Sequence, residues 1–174
     1  MAKVRQIGEG LVILAAFMIL IGAPGPVAAE TISARLRGFE EVPAVSTTGT
    51  GHFQGTISDA TSIDFVLDYT LEGTVQQAHI HVGQTSVNGG IVIFLCTNLT
   101  PPPGVPTPPP CPPSPGTVSG TRTAAAVVAV ASQGISSGEF AAVLVAIRSG
   151  VAYANVHSAP NHPGGEIRGQ LRSP

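Results

Sequence analysis

Lysine is almost missing from this chain. Lys3 is the single one, and it lies in an N-terminal segment expected to be removed. The rest of the chain therefore cannot supply a Schiff-base lysine or the lysine of a Walker-type phosphate loop. Positive charge is scarce altogether. Over residues 30–174, six arginines stand against nine aspartates and glutamates, a net of −3. That leaves no basic patch for nucleic acid and no polybasic patch for a membrane surface. No serine is read in a Gly-X-Ser-X-Gly elbow and the cysteine pair is better read as a bridge, so no nucleophilic catalysis is expected and the chain does not read as an enzyme. Asp64 and Asp68 share one strand face, the spacing of a solvated face more than of a catalytic carboxylate pair.

Long apolar runs are also absent. The uninterrupted run Leu11–Ile21 is too short for a spanning helix, which wants about 20 residues. Lys3 and Arg5 precede it, Pro24 and Pro26 would break a continuing helix, and Val27-Ala28-Ala29 offers small residues before Glu30. This is the order of a cleavable signal peptide over 1–29. The expected mature chain, 30–174, is one domain working outside the cytoplasm: secreted, periplasmic or cell-surface. Any membrane attachment would run only through an uncleaved signal segment.

Cysteine is limited to Cys96 and Cys111. In an exported chain such a pair is expected to form a disulfide. The competing reading, two thiols on a metal, has no Cys-X-X-Cys spacing or flanking histidine behind it. The intervening residues include Pro101, Pro102, Pro103, Pro106, Pro108, Pro109 and Pro110, which lack the N–H that helix or sheet requires. Residues 97–116 therefore read as an inserted, stiff loop. Asn98-Leu99-Thr100 is a glycosylation sequon, meaningful only in a eukaryotic host.

Period-two alternation dominates what is present. Ile63, Phe65, Leu67, Tyr69 and Leu71 share one face, as do Ile32, Ala34 and Leu36, and Phe53 and Ile57. Ile91–Leu95 is a continuous apolar run, suited to a strand buried on both faces. Residues 117–131, apolar in their second half, suit strand or helix, with strand preferred. One segment breaks the pattern: Ser136 and Glu139 fit a capping box, Phe140, Val143, Leu144 and Ile147 recur at helical spacing, and Gly150 closes the segment. A short amphipathic helix is expected near 137–149. The fold expected is mainly β, an antiparallel β-sandwich of immunoglobulin-like or superoxide-dismutase-like type.

The chain ends as a hairpin, residues 151–157 and 166–172 joined by the turn-rich 158–165. Symmetric register pairs His157 with Glu166, Asn155 with Arg168 and Tyr153 with Gln170, all on one polar face. In Gln77–Val82, His79 and His81 share a face, about 7 Å apart along the strand. If that strand neighbours the hairpin, His79, His81, His157 and Glu166 form one cluster, supported by Asn155 and Arg168. The cluster has two readings. One is a hydrogen-bonded polar network. The other is a copper or zinc site in which three imidazoles ligate and Glu166 ligates or orients His157. His52 and His162 are read as exposed and without a role.

These pieces carry a family resemblance. Leu36-Arg37-Gly38-Phe39-Glu40-Glu41-Val42-Pro43, Ala78-His79-Ile80-His81-Val82-Gly83 with Asn88-Gly89, Gly150–His157, and Pro163–Leu171 span nearly all of 30–174. Together they resemble the CHRD domain, a module named after chordin and found in many bacterial exported proteins. Ser158 stands where threonine is usual, and the proline loop looks like a local elaboration. The resemblance implies a β-sandwich-like extracellular module and little chemistry. In chordin-like proteins the domain belongs to a secreted antagonist of growth-factor signalling. This chain lacks the accompanying cysteine-rich modules, so growth-factor binding does not carry over. The His-X-His strand is similar, over a few residues, to strands of copper–zinc superoxide dismutase. The expected function is a non-catalytic extracellular binding or structural module with an unidentified extracellular or envelope partner. The alternative is a copper- or zinc-binding protein, with redox activity as its extension.

Overall fold

The structure, a computed structural model, describes residues 29–173; the expected signal segment lies, but for Ala29, outside the described residues. Eight strands form: β1 (Glu30–Arg37), β2 (Thr50–Ile57), β3 (Ser62–Thr70), β4 (Thr74–Val82), β5 (Gly90–Thr97), β6 (Gly116–Thr123), β7 (Ala152–Ala159) and β8 (His162–Gln170). The mainly-β expectation holds, and the alternation places residues as read. Ile63, Phe65, Leu67 and Tyr69 of β3 are buried, while Asp64, Val66, Asp68 and Thr70 are exposed.

The sandwich expectation gives way to a different closure. All eight strands belong to one antiparallel sheet, in the order β5-β4-β7-β8-β1-β2-β3-β6, curled into a nearly closed barrel. A period of two says which residues face inward, but it does not distinguish two packed sheets from one sheet wrapped on itself. The interior is filled by Ile32, Leu36, Phe53, Phe65, Leu67, Ile80, Val156 and Ile167, among others.

A side chain spans the seam between β5 and β6. Arg122 of β6 donates from Nε to the Phe94 carbonyl (2.9 Å) and from Nη2 to the Leu95 carbonyl (2.7 Å), lying over the Phe65 ring. Burial pulls its pKa below the ordinary arginine value. The guanidinium thus does part of the work of a missing strand pairing. Arg122→Met keeps the stem but orphans both carbonyls, and should cost about 2–3 kcal/mol in urea denaturation. A loss under about 0.5 kcal/mol would show that the seam holds without it.

The helix, α1 (Phe140–Arg148), begins later than expected. Only half of the capping box forms: Glu139 accepts from the Ser136 N–H (2.8 Å), whereas the neighbouring hydroxyl, Ser137, donates to the Val127 carbonyl. Phe140, Val143, Leu144 and Ile147 enter the core as their spacing predicts. Of 117–131, only the first half is strand; short 3-10 turns follow at Ala124–Ala126 and Ala131–Gln133. The disulfide Cys96–Cys111 is formed, with Cα atoms 5.0 Å apart. The proline loop is fastened at its base by Asn98, whose amide donates to the Val75 and Cys111 carbonyls and accepts from the Cys111 N–H.

Candidate functional site

Three adjacent strands, β4, β7 and β8, build the site. Their inward residues, Ala78, Ile80, Ala154, Val156 and Ile167, pack into the barrel. Alternation then turns His79, His81, Tyr153, Asn155, His157 and Arg168 to the outer face. Register aligns them in rows: Gln77 with His157; His79 with Asn155 and Arg168; His81 with Tyr153 and Gln170. An outer face would ordinarily be wet. Here the segments 38–49 and 83–89 lie across it, so His79 is fully buried, and His81, Asn155, His157 and Arg168 nearly so.

The cover is held by specific bonds. Arg168 donates to the Gln84 and Val87 carbonyls (both 3.0 Å) and to Asn88 Oδ1 (3.3 Å). Asn88 donates to the Val42 carbonyl (2.8 Å), tying the two covering segments together. Gln170 donates to the Gly83 carbonyl (2.8 Å). Arg168 also lies over the Tyr153 ring, 3.5 Å from its centre, and Tyr153 stacks in parallel on His81. Gly89 packs so closely on the Val82 backbone that a Cβ would overlap it. That close approach brings the Gly89 carbonyl to His81 Nδ1 (3.0 Å).

The histidines meet as the sequence predicts. One ring nitrogen from each of His79, His81 and His157 lies within 4.8 Å of the others. His79 Nδ1 and His157 Nε2 are 3.2 Å apart. The tautomer of His157 follows from its neighbour. The Pro163 carbonyl only accepts, so His157 Nδ1 (2.9 Å away) carries the hydrogen and leaves Nε2 bare. His81 faces an acceptor at each nitrogen, the Gly89 carbonyl at Nδ1 (3.0 Å) and Asn155 Oδ1 at Nε2 (3.1 Å), and the neutral ring can donate to only one of them. His79 Nε2 is buried with no hydrogen-bond partner among the described residues.

Burial keeps the trio neutral. It pushes His79 down to about 2, with the charges of His157 and His81 adding to the effect. It pushes His81 down to about 4, against the Gly89 carbonyl, which favours the charged ring. His157 is lowered by the same cause. Glu41, which sequence reading passed over as a site residue, is buried beside Arg168. Desolvation raises its carboxyl to about 7, the Arg168 charge pulling the other way. In the sequence it stands only as one of the pair Glu40-Glu41 within the family-like stretch 36–43.

Glu166 departs from expectation. The hairpin turn is only Pro160-Asn161, because β7 runs to Ala159 and β8 starts at His162. Between the pairs Val156–Ile167 and Ser158–His162, β7 has one residue and β8 has four. This bulge breaks the expected His157–Glu166 pairing, while the Asn155–Arg168 and Tyr153–Gln170 pairs stand. The Glu166 carboxylate instead accepts from Thr47 Oγ1 (2.8 Å), the Glu72 N–H (2.8 Å) and the Ser158 hydroxyl. It anchors the covering segment and does not join the histidine trio. Glu166→Gln sets an NH₂ group among three donors and should cost about 2–3 kcal/mol in chemical denaturation. An unchanged midpoint would mean those donors find other partners.

His52 and His162 are half-buried and outside the trio. Gly134-Ile135-Ser136-Ser137-Gly138 does have the letters of a nucleophile elbow, against the expectation that no serine stands in one. Ser136 is exposed in the turn before α1, and neither serine hydroxyl bonds to a histidine among the described residues.

The CHRD domain family model matches residues 32–171. Neither the curated proteins nor the solved structures contain a match to this chain.

Proposed function

The chain belongs to the CHRD domain family, and from that premise we propose that it is an exported, non-catalytic module whose buried histidine trio binds a copper or zinc ion. The observation that carries this reading is the pair of backbone carbonyls behind the rings. His157 donates Nδ1–H to the Pro163 carbonyl, which fixes its ring and presents a hydrogen-free Nε2, and the Gly89 carbonyl lies against His81 Nδ1. Histidines that ligate metals are typically held in this way. The 3.2 Å between His79 Nδ1 and His157 Nε2 also suits two nitrogens on one ion, since bonds of about 2.0–2.1 Å in a tetrahedral array put ligands about 3.3 Å apart. On ligation through Nδ1, neutral His79 carries its hydrogen on Nε2. Export rests on the leader-like N-terminus and the disulfide.

The test is thermal unfolding with and without copper or zinc. One equivalent should raise the Tm of the wild-type protein; at a hundredfold excess over Kd the gain is about 2.7 kcal/mol. His79→Ala should abolish the shift. If wild type shows no shift with either metal, the trio is a hydrogen-bonded network that holds the cover in place. A shift that survives His79→Ala would put the ion elsewhere.

A further inference from the structure

We infer that the His79–His81–His157 site selects a monovalent ion with a filled d shell, copper(I), over zinc(II) or copper(II). This deepens the reading above and rests on it. The ligand set carries no negative charge. Among the described residues, no carboxylate joins the nitrogens that lie within 4.8 Å of one another. Glu166 is spent on Thr47, the Glu72 N–H and Ser158. Neither cysteine is available as thiolate, since both are in the disulfide.

The field at the site is positive. Arg168 is buried on the same face, its guanidinium over Tyr153, which stacks on His81. Its charge opposes protonation of His81, and it opposes any other cation at that ring for the same reason. Glu41 is buried close enough to feel that charge, but burial works against its ionisation. Moving an ion out of water costs free energy in proportion to the square of its charge, so a dication pays about four times the penalty of a monocation in this pocket. Three neutral imidazoles bring no negative charge to offset that difference.

Coordination number points the same way. The Phe94 ring packs perpendicular to His79 with ring centres 4.5 Å apart, and the Tyr153 face closes over His81 at 4.6 Å. These walls disfavour the water that zinc keeps as its fourth ligand. A monovalent ion with a filled d shell is satisfied by two or three nitrogens. Softness alone would call for sulfur; selection here comes from charge and dryness.

The experiment is competitive titration of the purified full chain. Copper(I), kept reduced by ascorbate without oxygen, is partitioned against a chromophoric copper(I) chelator. Silver(I) serves as a redox-inert monovalent probe, and zinc(II) and, in separate samples without ascorbate, copper(II) are each partitioned against their own indicators. The expected result is one copper(I) or silver(I) per chain, lost in His81→Ala, with zinc(II) at least about tenfold weaker, the factor equivalent to 1.4 kcal/mol. Asn155→Asp places an anion beside His81 at nearly constant volume, so it should shift the ratio toward zinc by a similar factor. Zinc(II) or copper(II) binding as tightly as copper(I), in a His79-dependent way, overturns the selectivity and leaves the metal site standing. An unmoved ratio in folded Asn155→Asp removes charge as its cause and overturns the inference too. Failure of every ion to bind ends the metal reading itself.

Discussion

Metal-free protein should lose stability steeply as the pH falls from about 6.5 toward 4. His79 and His81 are held at about 2 and about 4, below the unfolded value near 6.5. Groups with a depressed folded pKa stabilise the fold fully above the unfolded value, and that stability is lost on acidification. Near pH 5 the unfolded chain binds two protons at these positions that the folded chain refuses. Glu41 opposes this. Its folded pKa is raised to about 7, so its contribution is fully present below the unfolded carboxylate value and is lost as the pH rises through about 7. Two protons less one leaves a net of one, worth about 1.4 kcal/mol per pH unit, and His157 steepens the slope because burial lowers it as well. From pH 6.5 to 4 the loss is about 3 kcal/mol or more, against a total near 5–15 for a domain of this kind. Urea titrations with chelator near pH 7, 6, 5 and 4 measure it directly. Stability that stays level or rises over that range would mean that the histidines ionise in place. His79→Gln should flatten the slope by about one proton's share.

Replacing Arg168 with methionine should cost about 3–5 kcal/mol, the range for removing one member of a buried charged network. Arg168 is 1% exposed, and its guanidinium fills three acceptors at once: the Gln84 and Val87 carbonyls and Asn88 Oδ1. Each acceptor left dry costs about 1–3 kcal/mol. The segment 83–89 would then have to open to water, and the Gly89 carbonyl would leave His81. Arg168→Lys should recover only part of the loss, since an ammonium cannot reproduce a planar fork that reaches three acceptors and lies flat on Tyr153. The measurement is the urea midpoint of both variants, with amide hydrogen exchange over residues 83–89. A loss below about 1 kcal/mol in Arg168→Met would show that the cover is held by Gln170 and Asn88 without it.

The histidine trio was legible because a strand alternates. His79 and His81 had to share a face, and the parity of the last two strands put His157, Asn155 and Arg168 on a matching one. The neighbour relation between β4 and β7 was a supposition that the sheet order bears out. Glu166 was misplaced for a physical reason. Parity counts residues, and a bulge changes the count. Gly164 and Gly165 allow that irregularity, Gly165 at φ 131°, without a side-chain signal that says where the extra residues go.

By itself, the sequence determined the inward and outward faces of the strands, the apolar face of α1, the disulfide pair and the family. Each of these depends on local periodicity or on residue identity, which a chain carries without reference to its neighbours. Only the tertiary structure decided that one sheet curls toward closure with Arg122 across the seam, that the polar stripe is buried beneath 38–49 and 83–89, and that Glu41 sits beside Arg168. These depend on contacts between residues distant in the chain. Burial is the property that matters most here: the same His-X-His on an open strand would titrate near 6.5, and the cover laid over it makes the three rings neutral, oriented and dry.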